Sequence, residues 1–306
     1  MSTITAALKP RSVLVATDFS EASEKALRHS LALARFFGSK FCLAHVVSSV
    51  GLTIAGPGAI AACEEAVLRE TAQLEGRLIR TGALTGIQHK FIVRQGELWP
   101  QLKEVIREEN TDLMVVGTHG RHGMAKLFFG SRAEQIFRQA DCRVLTFGPY
   151  SRDALWYGTS SARPTFLFAT DFGHASVRGL PHAIAAANQF GARLAFLSIV
   201  PAVSRDEDVS IWHGDPRQRS YERLCQLAGP VSEKILETAE KVKADLIIMG
   251  LHESPYGGVI SHLDLGTTYA VVCNSSSPVL TVSCSSAPEL RPLADTEHLC
   301  LGGEPM

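Results

Sequence analysis

Short apolar runs alternate along this chain with longer stretches in which apolar residues return every three or four positions. The first pattern reads as a strand buried on both faces and the second as an amphipathic helix. Ser12-Val13-Leu14-Val15-Ala16 is the first such run. After Thr17-Asp18-Phe19 comes Ser20, a residue suited to cap a helix, and then Ala22, Ala26, Leu27, Leu33, Ala34 and Phe37 at helical spacing. Gly38 is placed to end that helix. The pattern then predicts a strand over Phe41–Val47, a loop over Ser48–Gly58 and a helix from Ala59 to Thr81. Beyond these it predicts a strand over Gln88–Val93, a helix over Leu98–Glu109 and a strand over Leu113–Val116. A helix over Ala133–Gln139 and a strand over Val144–Phe147 complete the set.

Strands alternating with helices need crossover connections, which give a mainly parallel sheet covered by helices on both faces. In such sheets ligands lie beyond the carboxyl ends of the strands, where the strand order switches direction. Asp18 and the loop beginning at Gly117 both follow carboxyl ends, so one crevice can hold both although they lie far apart in sequence.

The pattern then starts again. Phe166-Leu167-Phe168-Ala169-Thr170-Asp171-Phe172 echoes Val13 to Phe19, and Phe190-Gly191 echoes Phe37-Gly38. Ala244-Asp245-Leu246-Ile247-Ile248-Met249-Gly250-Leu251-His252 echoes Thr111 to His119, and Pro278-Val279-Leu280-Thr281 echoes Arg143 to Thr146. The second copy is shorter by about twenty residues. The loss falls between its second strand and third helix, at helix two, strand three or parts of both, and Ser204–Ser220 reads as a polar loop in their place. The expected organisation is a first domain over 1–148, a linker over 149–164, a shortened second copy over 165–284 and a polar tail over 285–306. Each copy is expected to form an open, mainly parallel five-stranded sheet flanked by helices, the second reduced to four strands if strand three is lost.

Composition narrows the function. The chain has 306 residues, enough for two cores, and a formal net charge of −1, which supplies no field to attract nucleic acid or an anionic membrane. Met1–Pro10 lacks a long apolar core, so no leader peptide is expected, and no run has the length of a spanning helix. Seven cysteines at irregular spacing, with no CxxC pair, fit reduced thiols in a cytoplasm better than disulfides or zinc.

The chemistry concentrates in the stretch from Gly117 to Ser131. A strand, a glycine-punctuated loop and a helix start are the parts of an anion site: glycines permit close backbone approach, and free N–H groups at the helix start hold negative charge. Two residues separate Gly117 from Gly120, and nine separate Gly120 from Gly130-Ser131. That spacing resembles the nucleotide-phosphate motif of the universal stress protein family, and the repeated Thr-Asp-Phe after strand one is similar to a tandem member. The resemblance implies an adenine-nucleotide alpha-hydrolase-like fold and binding of ATP, ADP or AMP, a property some members have lost. It places Ala16, Thr17 and Asp18 at the adenine and ribose end, the backbone of Val46 at the adenine, and Gly117, His119, Gly120, Gly130 and Ser131 around the phosphates. Mg can accompany the nucleotide. It also implies pairing through last strands, here between the two copies within one chain. A homodimer of two such chains through a last-strand edge is an alternative, and a protein partner remains unnamed.

Simpler readings stand beside these. Asp18 is also placed to cap the helix, Val46 is a core residue in any such fold, and glycines serve turns. His119 and His122 lack a third metal ligand nearby in sequence, so no metal site is expected. In the second copy Glu253 stands where Gly120 would be, and fifteen residues separate Gly250 from Gly266, against twelve between Gly117 and Gly130. A carboxylate there repels phosphate, so this copy is expected to be altered or non-binding. No GxxxxGK[ST], HExxH or GxSxG sequence occurs, and Asp18-Phe19-Ser20-Glu21 has no glycine for a phosphate loop at strand one. The expectation is therefore a stress-response binding protein with no catalytic residue and at most slow ATP hydrolysis. A scaffold that binds no nucleotide is its rival, and an adenylating or pyrophosphatase-type enzyme is the third reading.

Overall fold

A computed structural model of the chain describes residues 9–47, 57–118, 140–152, 163–170, 174–200, 221–227, 230–251 and 265–283. The first half runs β1 (Ser12–Ala16), α1 (Glu21–Phe37), β2 (Lys40–Val47), α2 (Pro57–Arg80), β3 (His89–Gln95), α3 (Leu98–Glu108), β4 (Leu113–Gly117) and β5 (Arg143–Phe147). The second runs β6 (Thr165–Thr170), α4 (His174–Phe190), β7 (Arg193–Val200), β8 (Tyr221–Leu227), α5 (Val231–Lys241), β9 (Leu246–Leu251), α6 (Leu265–Asn274) and β10 (Val279–Ser283). The expected helix over Ala133–Gln139, the polar stretch over 204–220, most of the linker and the tail lie outside the described residues. Among the described residues no helix is long and apolar enough to cross a membrane.

Local signals explain the element ends. Ser20 caps α1 by accepting the Ser23 N–H, and Gly38 closes it in the left-handed region with φ 67°. Asp112, before β4, accepts the N–H groups of Arg11 and Ser12 at 2.9 and 3.2 Å and so fixes the start of β1 beside it. Asp245, its counterpart in the repeat, does the same for β6 through the Thr165 N–H at 2.8 Å.

Alternate strand residues serve opposite faces. Val13 and Val15 pack towards α1, α2 and α4, whereas Leu14 packs towards α3, α5 and α6. Glu109, at the end of α3, is nearly buried and takes ion pairs from Lys40 of β2 and Lys90 of β3. Hydrogen bonds from Lys40 and then Lys90 hold its carboxyl below the usual range. Glu109→Gln is expected to lower the urea midpoint with the slope unchanged.

The strand order is β3-β2-β1-β4-β5-β10-β9-β6-β7-β8, so the order of the first half recurs, reversed, in the second. Two expectations are refined here. The two sheets are continuous, forming one sheet of ten strands, and the second half has five strands because β8 occupies the place of strand three. The join is antiparallel, with Thr146 opposite Val279, Leu145 opposite Leu280 and Val144 opposite Thr281. These pairs are symmetric about the two leucines, as a local two-fold axis requires. Phe37 and Phe190, equivalent in the repeat, meet edge to face across the seam at 5.5 Å. Gly148, just after β5, lies so close to α6 that a Cβ would stand 2.1 Å from the Val272 carbonyl oxygen. Both last strands are consumed in this seam, which corrects the expectation of a last-strand edge for a homodimer; the sheet edges are β3 and β8.

Candidate functional site

In the first half β1 lies between β2 and β4, so its carboxyl end and that of β4 flank the switch point. Ala16, the last residue of β1, is partly buried and stands between Ala44 and Val116. The Thr17 N–H extends the ladder to the Ala44 carbonyl at 2.9 Å. The Thr17 hydroxyl accepts the Phe19 N–H and donates to Ser23 Oγ, each at 3.0 Å. Phe19 then adopts φ 60°, uncommon for a side-chain-bearing residue and maintained by the contacts around it.

Asp18 sits inside this turn. One carboxylate oxygen accepts the Ser20 N–H at 3.0 Å, and the other has no protein partner among the described residues. The helix cap is Ser20, so the capping reading of Asp18 is corrected: its role in the turn is to hold the N–H of the capping residue. Val46 is half-buried at the carboxyl end of β2, packed towards the face covered by α3.

Gly117 ends β4, and a Cβ on it would lie 2.3 Å from the Ala22 carbonyl oxygen and 2.9 Å from the Ser23 nitrogen. Helix α1 can approach the strand only because a glycine is there. Thr118 follows, with its N–H and hydroxyl both donating to the Phe147 carbonyl at 3.1 Å, so the chain leaves the sheet at the crevice rim. The structure thus brings Ala16, Thr17, Asp18 and Gly117 to the ends of two adjacent strands, with Val46 on the strand beyond. His119, Gly120, Gly130 and Ser131 lie outside the described residues.

Sequence reading passed over His45. Its Nδ1 is 2.8 Å from the Thr17 carbonyl oxygen and its ring stacks on Phe19 with centroids 4.9 Å apart. The available signal was a histidine within the otherwise apolar run Phe41–Val47, and in the structure its ring is half-buried. In the second half the equivalent position is Ser198, whose buried hydroxyl has no partner among the described residues. Helix α6 begins at Leu265, beside the Gly266-Thr267 pair that the repeat matches to Gly130-Ser131, whereas Asp171 and Glu253 lie outside the described residues. Among the described residues no group of three or more His, Cys, Asp or Glu is placed to hold a metal.

A model of the universal stress protein family matches residues 10–147. Universal stress protein A homolog 1 of Coxiella burnetii is 33% identical over 140 residues, spanning 44% of this chain and 92% of that protein. A universal stress protein of Thermus aquaticus, from the QAH/OAS sulfhydrylase 3' region, is 27% identical over 136 residues, 44% of this chain and 96% of its own length. The crystal structure of a universal stress protein from Archaeoglobus fulgidus superimposes with a TM-score of 0.63 at 19% identity, covering 89% of this chain and 98% of the other. At that identity the likeness is one of fold, and it extends over both halves, whereas these sequence relatives match less than half of the chain.

Proposed function

The chain belongs to the universal stress protein family, and on that premise we propose that its first half binds ATP or a related adenine nucleotide at the carboxyl ends of β1 and β4. Asp18 carries the reading: its carboxylate stands at the switch point with one oxygen spent on the turn and the other available to ribose hydroxyls. Ala16 and Thr17 line that end, the backbone of Val46 meets the adenine, and Gly117, His119, Gly120, Gly130 and Ser131 surround the phosphates. The protein is a cytoplasmic stress-response binding module in which nucleotide occupancy changes what a protein partner meets. The second half, with Glu253 and a longer loop, binds no nucleotide and serves to pair with the first.

Gly117 favours the rival scaffold reading, because packing against α1 already requires that glycine. The two readings separate at Gly120. Denaturing the purified protein and identifying released small molecules by mass spectrometry is expected to give adenine nucleotide approaching one per chain. Gly120→Val is expected to weaken ATP binding roughly tenfold or more by calorimetry with thermal stability retained. A protein that releases no nucleotide and does not bind added ATP is the scaffold.

A further inference from the structure

We infer that His45 is a positioning residue that sets the nucleotide affinity of the first half by fixing the turn that carries Asp18; the inference rests on the nucleotide reading above. Asp18 is flanked by two residues, and His45 holds both. Its Nδ1 lies 2.8 Å from the Thr17 carbonyl oxygen. A carbonyl can only accept, so Nδ1 carries the proton and donates. The same ring stacks on Phe19 at 4.9 Å with planes inclined by 27°.

The turn needs this support. Phe19 stands at φ 60°, a conformation that costs free energy and persists only where surrounding contacts over-determine it. The Thr17 hydroxyl restrains it by accepting the Phe19 N–H, and the His45 ring packs against it from the side-chain direction. Asp18 spends one oxygen on Ser20 N–H, so a rotation at Thr17 or Phe19 would carry the remaining oxygen away from the crevice. The side chain thus reaches the ligand site through the turn rather than by contact. In the second half, read above as non-binding, Ser198 replaces this imidazole with a hydroxyl too short to brace a turn.

The test is a double-mutant cycle on the full chain, with affinities for ATP and 3'-deoxy-ATP measured by calorimetry and melting followed in parallel. The variants are Asp18→Asn, His45→Phe, His45→Asn and the Asp18→Asn/His45→Phe pair. Phenylalanine keeps the stack and removes the donor; asparagine restores a donor near the Nδ1 position without the ring. ATP affinity is expected to fall roughly tenfold in His45→Phe and to recover in part in His45→Asn. In the Asp18→Asn background His45→Phe is expected to cost little more, because both changes act on one interaction. Discrimination against 3'-deoxy-ATP is expected to shrink in His45→Phe. Equal losses in both backgrounds, or a loss that tracks melting temperature alone, overturn the positioning role while the nucleotide reading stands. A wild-type chain that binds no ATP overturns both. If His45→Phe does not fold, His45→Asn and an Asp18→Asn/His45→Asn pair close the cycle on the ring contact with Phe19 instead: a loss that Asp18→Asn abolishes supports the positioning role, and equal losses in both backgrounds overturn it.

Discussion

Gly117→Ala is expected to destabilise the protein by about 3 kcal/mol or more, with or without nucleotide. The new Cβ would stand 2.3 Å from the Ala22 carbonyl oxygen and 2.5 Å from its carbon. These are main-chain atoms in the first turn of α1, and they cannot swing aside as a flexible side chain does. Accommodation therefore means moving α1 off β4. That movement opens the packing of Ala26, Leu27 and Leu31 over Val13 and Val15 and releases the Thr17 to Ser23 hydrogen bond. Gly38→Ala is the control: nothing lies within 4 Å of its Cβ, so its cost is only that of φ 67°, about 1 kcal/mol. Urea unfolding of both variants decides the matter. Equal effects would mean that α1 does not depend on close approach at Gly117, and the glycine would then need a ligand to explain it. A large effect in the absence of nucleotide assigns this position to packing and leaves the proposed phosphate contacts to Gly120 and Gly130.

Sequence order carried the architecture further than it carried the site. The alternation of buried runs with helical spacing leads to β1, β2, β4 and β5 because these strands are mostly buried and apolar, and Ser20 and Gly38 mark α1 by their local chemistry. The repeat leads to the recurring strand order because equivalent residues do equivalent work, as Asp112 and Asp245 do at the starts of β1 and β6. The shortfall of the second copy could not say which element was lost: Tyr221–Leu227 mixes charged and apolar residues, as an edge strand does, and only its pairing with β7 identifies it as β8. The continuity of the sheet was likewise a property of pairing, decided at Leu145 and Leu280. At the candidate site, the sequence pointed to Asp18 and Gly117 because both follow strand ends, where such folds bind ligands, and the structure puts both at carboxyl ends of adjacent strands. The reason for Gly117 was hidden, since it depends on a helix nearly a hundred residues earlier in the chain. His45 was hidden for the same reason: its two partners follow a different strand.

Between pH 6.5 and 4 the folded state is expected to lose about 3 kcal/mol of stability through His182 alone. His182 lies in α4 with 6% of its surface exposed, and neither ring nitrogen has a hydrogen-bond partner among the described residues. Burial, and then the positive charge of Arg143 across the seam, push its pKa from 6.5 down to about 4. The unfolded chain therefore takes up a proton near pH 6.5 that the folded chain refuses until about pH 4. Within that window the unfolded state binds more protons, so stability rises with pH; the contribution is complete above 6.5 and lost by 4. Glu109 acts in the same direction but lower down, because its pKa is held beneath the ordinary 4.5 and its contribution fades only as pH falls through that lower value. The two windows separate the groups. His182→Leu removes the proton acceptor and two unpaired buried nitrogens together, so its urea midpoint is expected to match or exceed that of the wild type above pH 6.5 and to stay nearly level down to pH 4. Parallel decline of the two proteins across this range would mean that another group refuses the proton and that the seam at Arg143 is open to water. A wild-type decline that the variant lacks makes the seam the acid-sensitive part of the fold, since the group that must be charged sits on one half and the charge that opposes it on the other.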